Sequence, residues 1–188
     1  FPVPDSQKYY PCGITVDSQG YTYITFGNKS GGTLILIKNA WNNGSWQTAN
    51  GFPKIVLDSP GDLTSGTPHA LPDDRVMVVY ANEGNDTPLQ SRIWNGTALE
   101  PAQNVSISNM PSNFVFQACV DPTGNVHVVF RVTETAIHYS FWNYTTEQWQ
   151  IREQLVTTHE SDTLGRGTII WPQIGYYPRT GEIIINWV

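Results

Sequence analysis

GYTYITF, Gly20 to Phe26, recurs in this chain in three further versions. DRVMVVY (Asp74 to Tyr80), GNVHVVF (Gly124 to Phe130) and GEIIINW (Gly181 to Trp187) align with it without a gap. Each opens on a turn residue, continues through a β-rich run and closes on an aromatic ring at the same offset. The starts lie 54, 50 and 57 residues apart, just above the spacing at which self-similarity marks stacked or radial repeat architectures. Each copy therefore reads as one strand of a repeated sheet.

The flanking residues supply the remaining strands. Cys12 to Val16, the turn Asp17-Ser18-Gln19-Gly20 and the quoted stretch make a hairpin. Thr33 to Trp41 reads as a third strand, apolar enough to be buried on both faces, and Trp46 to Leu57 as a less regular fourth, interrupted by Gly51 and Pro53. The second repeat runs through Pro68 to Leu71, the turn Pro72-Asp73-Asp74, Leu89 to Trp94 and Leu99 to Ile107. The third runs through Phe114 to Val120, the turn Asp121 to Gly124, Ala136 to Trp142 and Trp149 to Val156. A fourth begins at Ile169 and holds two strands. In every four-stranded repeat the third strand ends in Trp-Asn, at Trp41, Trp94 and Trp142. Helical periodicity is absent, so the class is all-β.

Four antiparallel strands per repeat, with rings closing the second and third, are what a β-propeller blade requires, because each sheet packs face to face on its neighbours. Near-continuous apolar runs follow from burial on two faces. The reading is one domain, residues 1–188, with blades at about 12–57, 66–107, 113–156 and 169–188. Three and a half blades do not close a ring. The expectation is a longer chain, or another copy or partner at the open edge after Val188, with a hemopexin-like four-bladed closure as the compact alternative.

GITVDSQGYTYIT after Cys12 resembles the hairpin of NHL-type and sialidase-like (BNR) propeller repeats, a strand, Val-Asp, two residues, Gly and a second strand. Val120 to Val128 matches it closely, whereas the second repeat has Leu71 in place of the Asp and the fourth has Pro178. The resemblance implies a blade fold and no particular activity. The sialidase Asp-box is absent.

Composition sets bounds on function. Hydrophobic residues at 39% and aromatics at 12% exclude a disordered chain. Net charge is −6 without a Lys/Arg cluster, which argues against a nucleic-acid partner. No run approaches the roughly 18 apolar residues of a membrane-spanning helix. Asn-x-Ser/Thr sequons stand at Asn28, Asn43, Asn85, Asn95, Asn104 and Asn143. Their excess points to export to the extracellular space or cell surface with N-glycosylation. Cys12 and Cys119 lie in different repeats, and the sequence leaves open whether they pair or stay thiols.

The chemistry is sparse. His127 aligns with Tyr23 and Met77, so its position accepts any bulky side chain, and packing is the reading for His138 as well. His69 starts the second repeat near the end of a blade that would face a ligand. His159, Glu160, Asp162 and Arg166 share the longest loop, where a rigid scaffold would carry function. Asp73-Asp74 reads as a turn, not a calcium loop. The sequence assigns no catalytic residue, metal or cofactor. It favours a secreted module for binding or extracellular assembly, with carbohydrate or a surface glycoprotein as ligand. A piece of a propeller-fold polysaccharide lyase or glycosidase, and a structural subunit of a surface layer or filament, are the alternatives.

Overall fold

The computed structural model describes residues 9–28, 32–42, 45–58, 64–82, 87–111, 115–133, 135–158 and 171–187. All regular structure among them is strand. In the first sheet β1 (Tyr9–Val16), β2 (Thr22–Asn28) and β3 (Thr33–Asn42) pair in sequence order, and both β4 (Ser45–Thr48) and β5 (Lys54–Asp58) pair along β3. The single fourth strand expected over 46–57 is thus two, because Gly51 takes a left-handed φ of 79° and Pro53 lacks a ladder donor.

The second sheet has the order β6 (Thr64–Ala70), β7 (Val76–Asn82), β8 (Pro88–Trp94), β9 (Gln103–Asn109). Its first strand begins ahead of Pro68; β6 is an edge, where a missing N–H is tolerated. Leu99, expected to open the fourth strand, makes an isolated bridge to Trp94 instead. The third sheet has the order β10 (Phe116–Val120), β11 (Val126–Thr133), β12 (Ala136–Asn143), β13 (Gln148–Thr158). β14 (Gln173–Tyr177) and β15 (Glu182–Asn186) form a two-stranded sheet, and Ile169, expected to open it, lies outside the described residues.

The repeated turns share one hydrogen bond. Gly20 N donates to Asp17 O at 3.1 Å, Asp74 N to Leu71 O at 3.1 Å and Gly124 N to Asp121 O at 3.0 Å. The last residue of each needs a positive φ: 84° at Gly20, 89° at Gly124, and 64° at Asp74, where a short polar side chain stands in for glycine. The Asp74 carboxylate accepts from Ser18 N at 2.9 Å and Gln19 Nε2 at 2.8 Å, tying the second turn to the first.

The chain divides into two compact units, residues 1–85 with 90–103, and 86–89 with 104–188. In the first unit, register sets the packing. Tyr23 lies opposite Lys38 and Thr25 opposite Leu36, so these share one face; Ile24 opposite Ile37 and Phe26 opposite Ile35 share the other. The first face forms a core in which Tyr23, Leu34, Leu36 and Val56 meet Val76, Val78, Tyr80 and Trp94 of the second sheet. The second face is buried too, as a cluster of Ile24, Phe26, Ile35 and Ile37. Arg92 crosses the core, donating from Nη1 to Val56 O at 2.8 Å and from Nε to Glu100 O at 2.8 Å. Thr25 donates to Gly66 O at 2.5 Å, and a Cβ on Gly66 would stand 2.7 Å from Leu34 Cδ2 and 2.8 Å from Tyr80 Cβ.

In the second unit β11 is buried from Val126 to Arg131. Val129 and Ile137 pack against Ile174 and Ile185 of the last hairpin. On the other side Ser140 Oγ donates to Val105 O at 2.8 Å and accepts from Glu153 N at 3.0 Å. Glu153, at φ 61° in β13, turns its carboxylate onto β9, accepting from Ile107 N at 2.6 Å and from the Ser108 amide and hydroxyl. Burial pushes that carboxyl up, but the Ser108 and Ile107 hydrogen bonds outweigh it and hold the group below the usual carboxylate range.

Two outcomes follow from these contacts. Gly66→Ala forces methyl-sized overpacking against Leu34 and Tyr80 and lowers stability by about 1–3 kcal/mol in urea unfolding. Glu153→Gln lowers the stability of the second unit by about 1–3 kcal/mol near neutral pH, read by amide exchange over β9 and β13. Because the folded carboxyl titrates below the unfolded one, this contribution is present above the unfolded value of about 4.3. It is lost as pH falls through the folded value, so wild type and Gln variant converge in acid.

Candidate functional site

The first unit holds a cleft of about 340 Å³ lined by Tyr21, Lys38, Phe52, Lys54, Trp94 and Thr97, with Asn50 at its edge. Strand geometry builds it. Tyr21 precedes β2 and stands two residues from Tyr23, so both rings lie on the face that Lys38 shares across β3. Ala49 N donates to Lys38 O at 2.8 Å, bringing the Ala49–Lys54 connection alongside, and β5 then sets Lys54 opposite Leu36 on the same face. Trp94, ending β8, supplies the far wall, and the Asn95–Ala98 turn carries Thr97 to the rim.

Aromatic and cationic groups alternate here. Lys38 Nζ sits 3.9 Å from the Tyr21 ring centroid and 5.2 Å from that of Tyr23. Lys54 Nζ sits 5.0 Å from the Trp94 ring and 5.9 Å from that of Phe52. Phe52 meets Trp94 edge to face, with centroids 5.1 Å apart. The Tyr23 hydroxyl is pushed far up by burial, then by the Asp17 charge, and stays neutral. No carboxylate lines the cleft among the described residues. Such a surface offers ring faces for apolar patches, amide and hydroxyl groups for polar ones, and two ammonium donors.

The third repeat places different groups at the matching positions. His127 Nδ1 lies 2.7 Å from Tyr139 Oη and its Nε2 3.3 Å from Asp121 Oδ2. Asp121 also accepts from the Thr123 hydroxyl at 2.7 Å and from Asn125 Nδ2 at 2.9 Å. Burial pushes this carboxyl up, yet the Thr123, Asn125 and His127 hydrogen bonds bring it down to about 2. Burial lowers His127, with Asp121 opposing, and raises the neighbouring Cys119 thiol to about 11, with the Asp121 charge adding to the effect. A thiol held protonated is no nucleophile. The cluster is a satisfied polar core, as the packing reading of His127 expects.

None of the site residues singled out by sequence is among the described residues that line the cleft. His69 lines neither the cleft nor its walls; its Nε2 lies 2.9 Å from Thr67 Oγ1, and burial pushes the imidazole down to about 4. His159, Glu160, Asp162 and Arg166 fall outside the described residues, as do Asn43, Asn85 and the side chain of Asn28. Asn95 and Asn104 are exposed and Asn143 is half-buried. At Asn95 and Asn143 the side-chain oxygen closes the turn, accepting from Ala98 N at 3.0 Å and Thr146 N at 2.9 Å respectively. Cys12 and Cys119 are not joined in a disulfide. Trp142 and Trp94 are core, whereas Trp187, expected to pack like them, is 43% exposed.

Sequence reading passed over Tyr21, Lys38, Phe52 and Lys54. A signal was present: Lys38 is the one charge in the apolar run TLILIKNAW, and two tyrosines alternate in GYTYITF.

No family model matches the chain, and no curated protein matches it in sequence. Solved structures do resemble it. A fucose lectin from Kordia zhangzhouensis, in complex with methyl-fucoside, matches with a TM-score of 0.50 and 12% identity, over 79% of this chain and 99% of that one. A mutant of AofleA from Arthrobotrys oligospora matches with a TM-score of 0.50 and 9% identity, over 76% of this chain and 40% of that one. The chain thus spans 40% of the length of the AofleA structure it matches. At such identities the likeness is one of fold alone, and this chain's own fold is all-β with four-stranded antiparallel sheets.

Proposed function

We propose that this protein is a carbohydrate-binding module, secreted and N-glycosylated, whose sheets are blades of a propeller. The observation that carries the reading is the cleft walled by Tyr21, Phe52 and Trp94 with Asn50 and Thr97 at its edge. Pyranose rings present apolar C–H faces that stack on aromatic rings, and their hydroxyls need amide and hydroxyl partners. A volume of about 340 Å³ falls within the roughly 300–1,000 Å³ of small-ligand sites. The fucose-lectin likeness in fold supports the same direction. The repeated hairpins and the packing of the first two sheets support the blade reading. Exposed sequons at Asn95 and Asn104 support export.

A second reading, extracellular assembly, draws on β15. The second strands of the other sheets are buried on both faces over most of their length, whereas β15 alternates, with Ile184 50% exposed. Among the described residues β15 also ends its two-stranded sheet, and a sheet edge accepts further strands, from the same chain or another copy.

On a glycan array the protein retains sugars without turnover. Tyr21→Ala and Phe52→Ala each weaken binding about tenfold or more, while circular dichroism stays that of wild type. Retention of every glycan by both variants would move the site elsewhere, and an array without retained glycans would end the carbohydrate reading. Intact mass before and after deglycosylation of chain secreted from eukaryotic cells checks sequon use. An unchanged mass removes the glycoprotein proposal.

A further inference from the structure

We infer that the cleft selects an acidic sugar, one bearing a carboxylate or a sulfate, through Lys38 and Lys54; the inference rests on the carbohydrate reading above. The chain carries a net charge of −6 and only ten Lys and Arg in 188 residues, yet two of these lysines face one cleft. Their placement follows from register: Lys38 opposite Tyr23 and Lys54 opposite Leu36 are on one face of the first sheet, on the paired strands β3 and β5.

Neither ammonium is held by a carboxylate among the described ion pairs. Asp74, whose carboxyl feels the Lys38 charge, is committed to Ser18 N and Gln19 Nε2. Both lysines rest on rings instead, Lys38 on Tyr21 and Lys54 on Trp94. A cation–π contact at a partly exposed site is weaker than a hydrogen bond between charged groups. An arriving anion therefore draws the ammoniums off the rings at a net gain, and the vacated ring faces take the sugar. A neutral sugar lacks the group that would drive this exchange. Two lysines serving only to cover rings are a poor device, since apolar side chains cover them without desolvating charge. An acidic protein surrounding the pair also disfavours anions at long range, so selection acts at contact.

The test is an array of paired glycans, each acidic sugar beside its neutral counterpart, followed by calorimetry on two pairs. These are methyl β-glucuronide against methyl β-glucoside, and 6-sulfo-N-acetylglucosamine against N-acetylglucosamine; the pairs separate carboxylate from sulfate as the recognised group. Expected is a preference of about tenfold or more for the charged member of at least one pair, shrinking as salt rises. Lys38→Met and Lys54→Met bring the ratio toward one, weakening the charged member of a pair more than the neutral one, while Lys38→Arg and Lys54→Arg retain the preference. Equal binding of charged and neutral members, or a preference that both Met variants keep, overturns the inference and leaves the carbohydrate reading standing. Failure to retain any glycan on the array overturns both.

Discussion

The second strand of a complete sheet in this protein has no face to give to water. β7 is buried at every residue, β2 from Thr22 to Gly27 and β11 from Val126 to Arg131. Polar side chains there must find partners inside, and several do: Thr25 on Gly66 O and His127 on Tyr139 and Asp121. Ser140 on β12 and Ser106 on β9 are likewise bonded to Val105 O and Ser108 O. Apolar area removed from water on two faces is the dominant stabilising term, at roughly 25 cal/mol per Å². It requires the β-branched and aromatic runs that repeat along the chain. Turns, hydroxyl caps and the Asp74 and Glu153 anchors are arranged around that requirement.

Because two-sided burial constrains composition so tightly, it was readable without coordinates. The aromatic residue closing GYTYITF, the Asp-x-x-Gly turns and the Trp-Asn pairs locate hairpins that the structure contains. Boundaries were less legible where one ladder ends and another begins. Gly51 and Pro53 mark an interruption in Trp46 to Leu57, but nothing there says that the pieces on either side, β4 and β5, both pair with β3. The cleft was least legible of all. Its walls come from a residue before β2, the second half of β3, an irregular connection and the end of β8. Register across three strands brings them together, and register is a property of pairing, not of any single segment. Histidines drew attention by their chemistry, yet burial and hydrogen bonding account for His69 and His127, while rings and lysines in apolar surroundings carry the candidate site.

The cleft and the core are continuous. Tyr23 and Trp94 belong to the buried cluster, and Tyr21 and Phe52 pack on it from outside. Ring positions at the mouth are consequently fixed by the same packing that holds the two sheets of the first unit, so a ligand meets walls already in place. Preorganised surfaces of this kind spare a ligand the entropy of ordering side chains. What remains adjustable are the lysine stems, whose four carbons allow the charged tips to move while the rings stay.

Strand pairing here follows the order of synthesis. β1 to β3, β6 to β9, β10 to β13 and β14 to β15 are each zipped neighbour to neighbour, and β5 returns only as far as β3. A sheet whose partners are adjacent along the chain closes small loops, which costs little entropy and proceeds quickly. On a ribosome, each sheet of the described residues has all its strands before the next hairpin emerges, so these ladders do not wait on a distant segment. An all-β protein built this way escapes much of the slowness and aggregation exposure that long-range pairing imposes on other β folds.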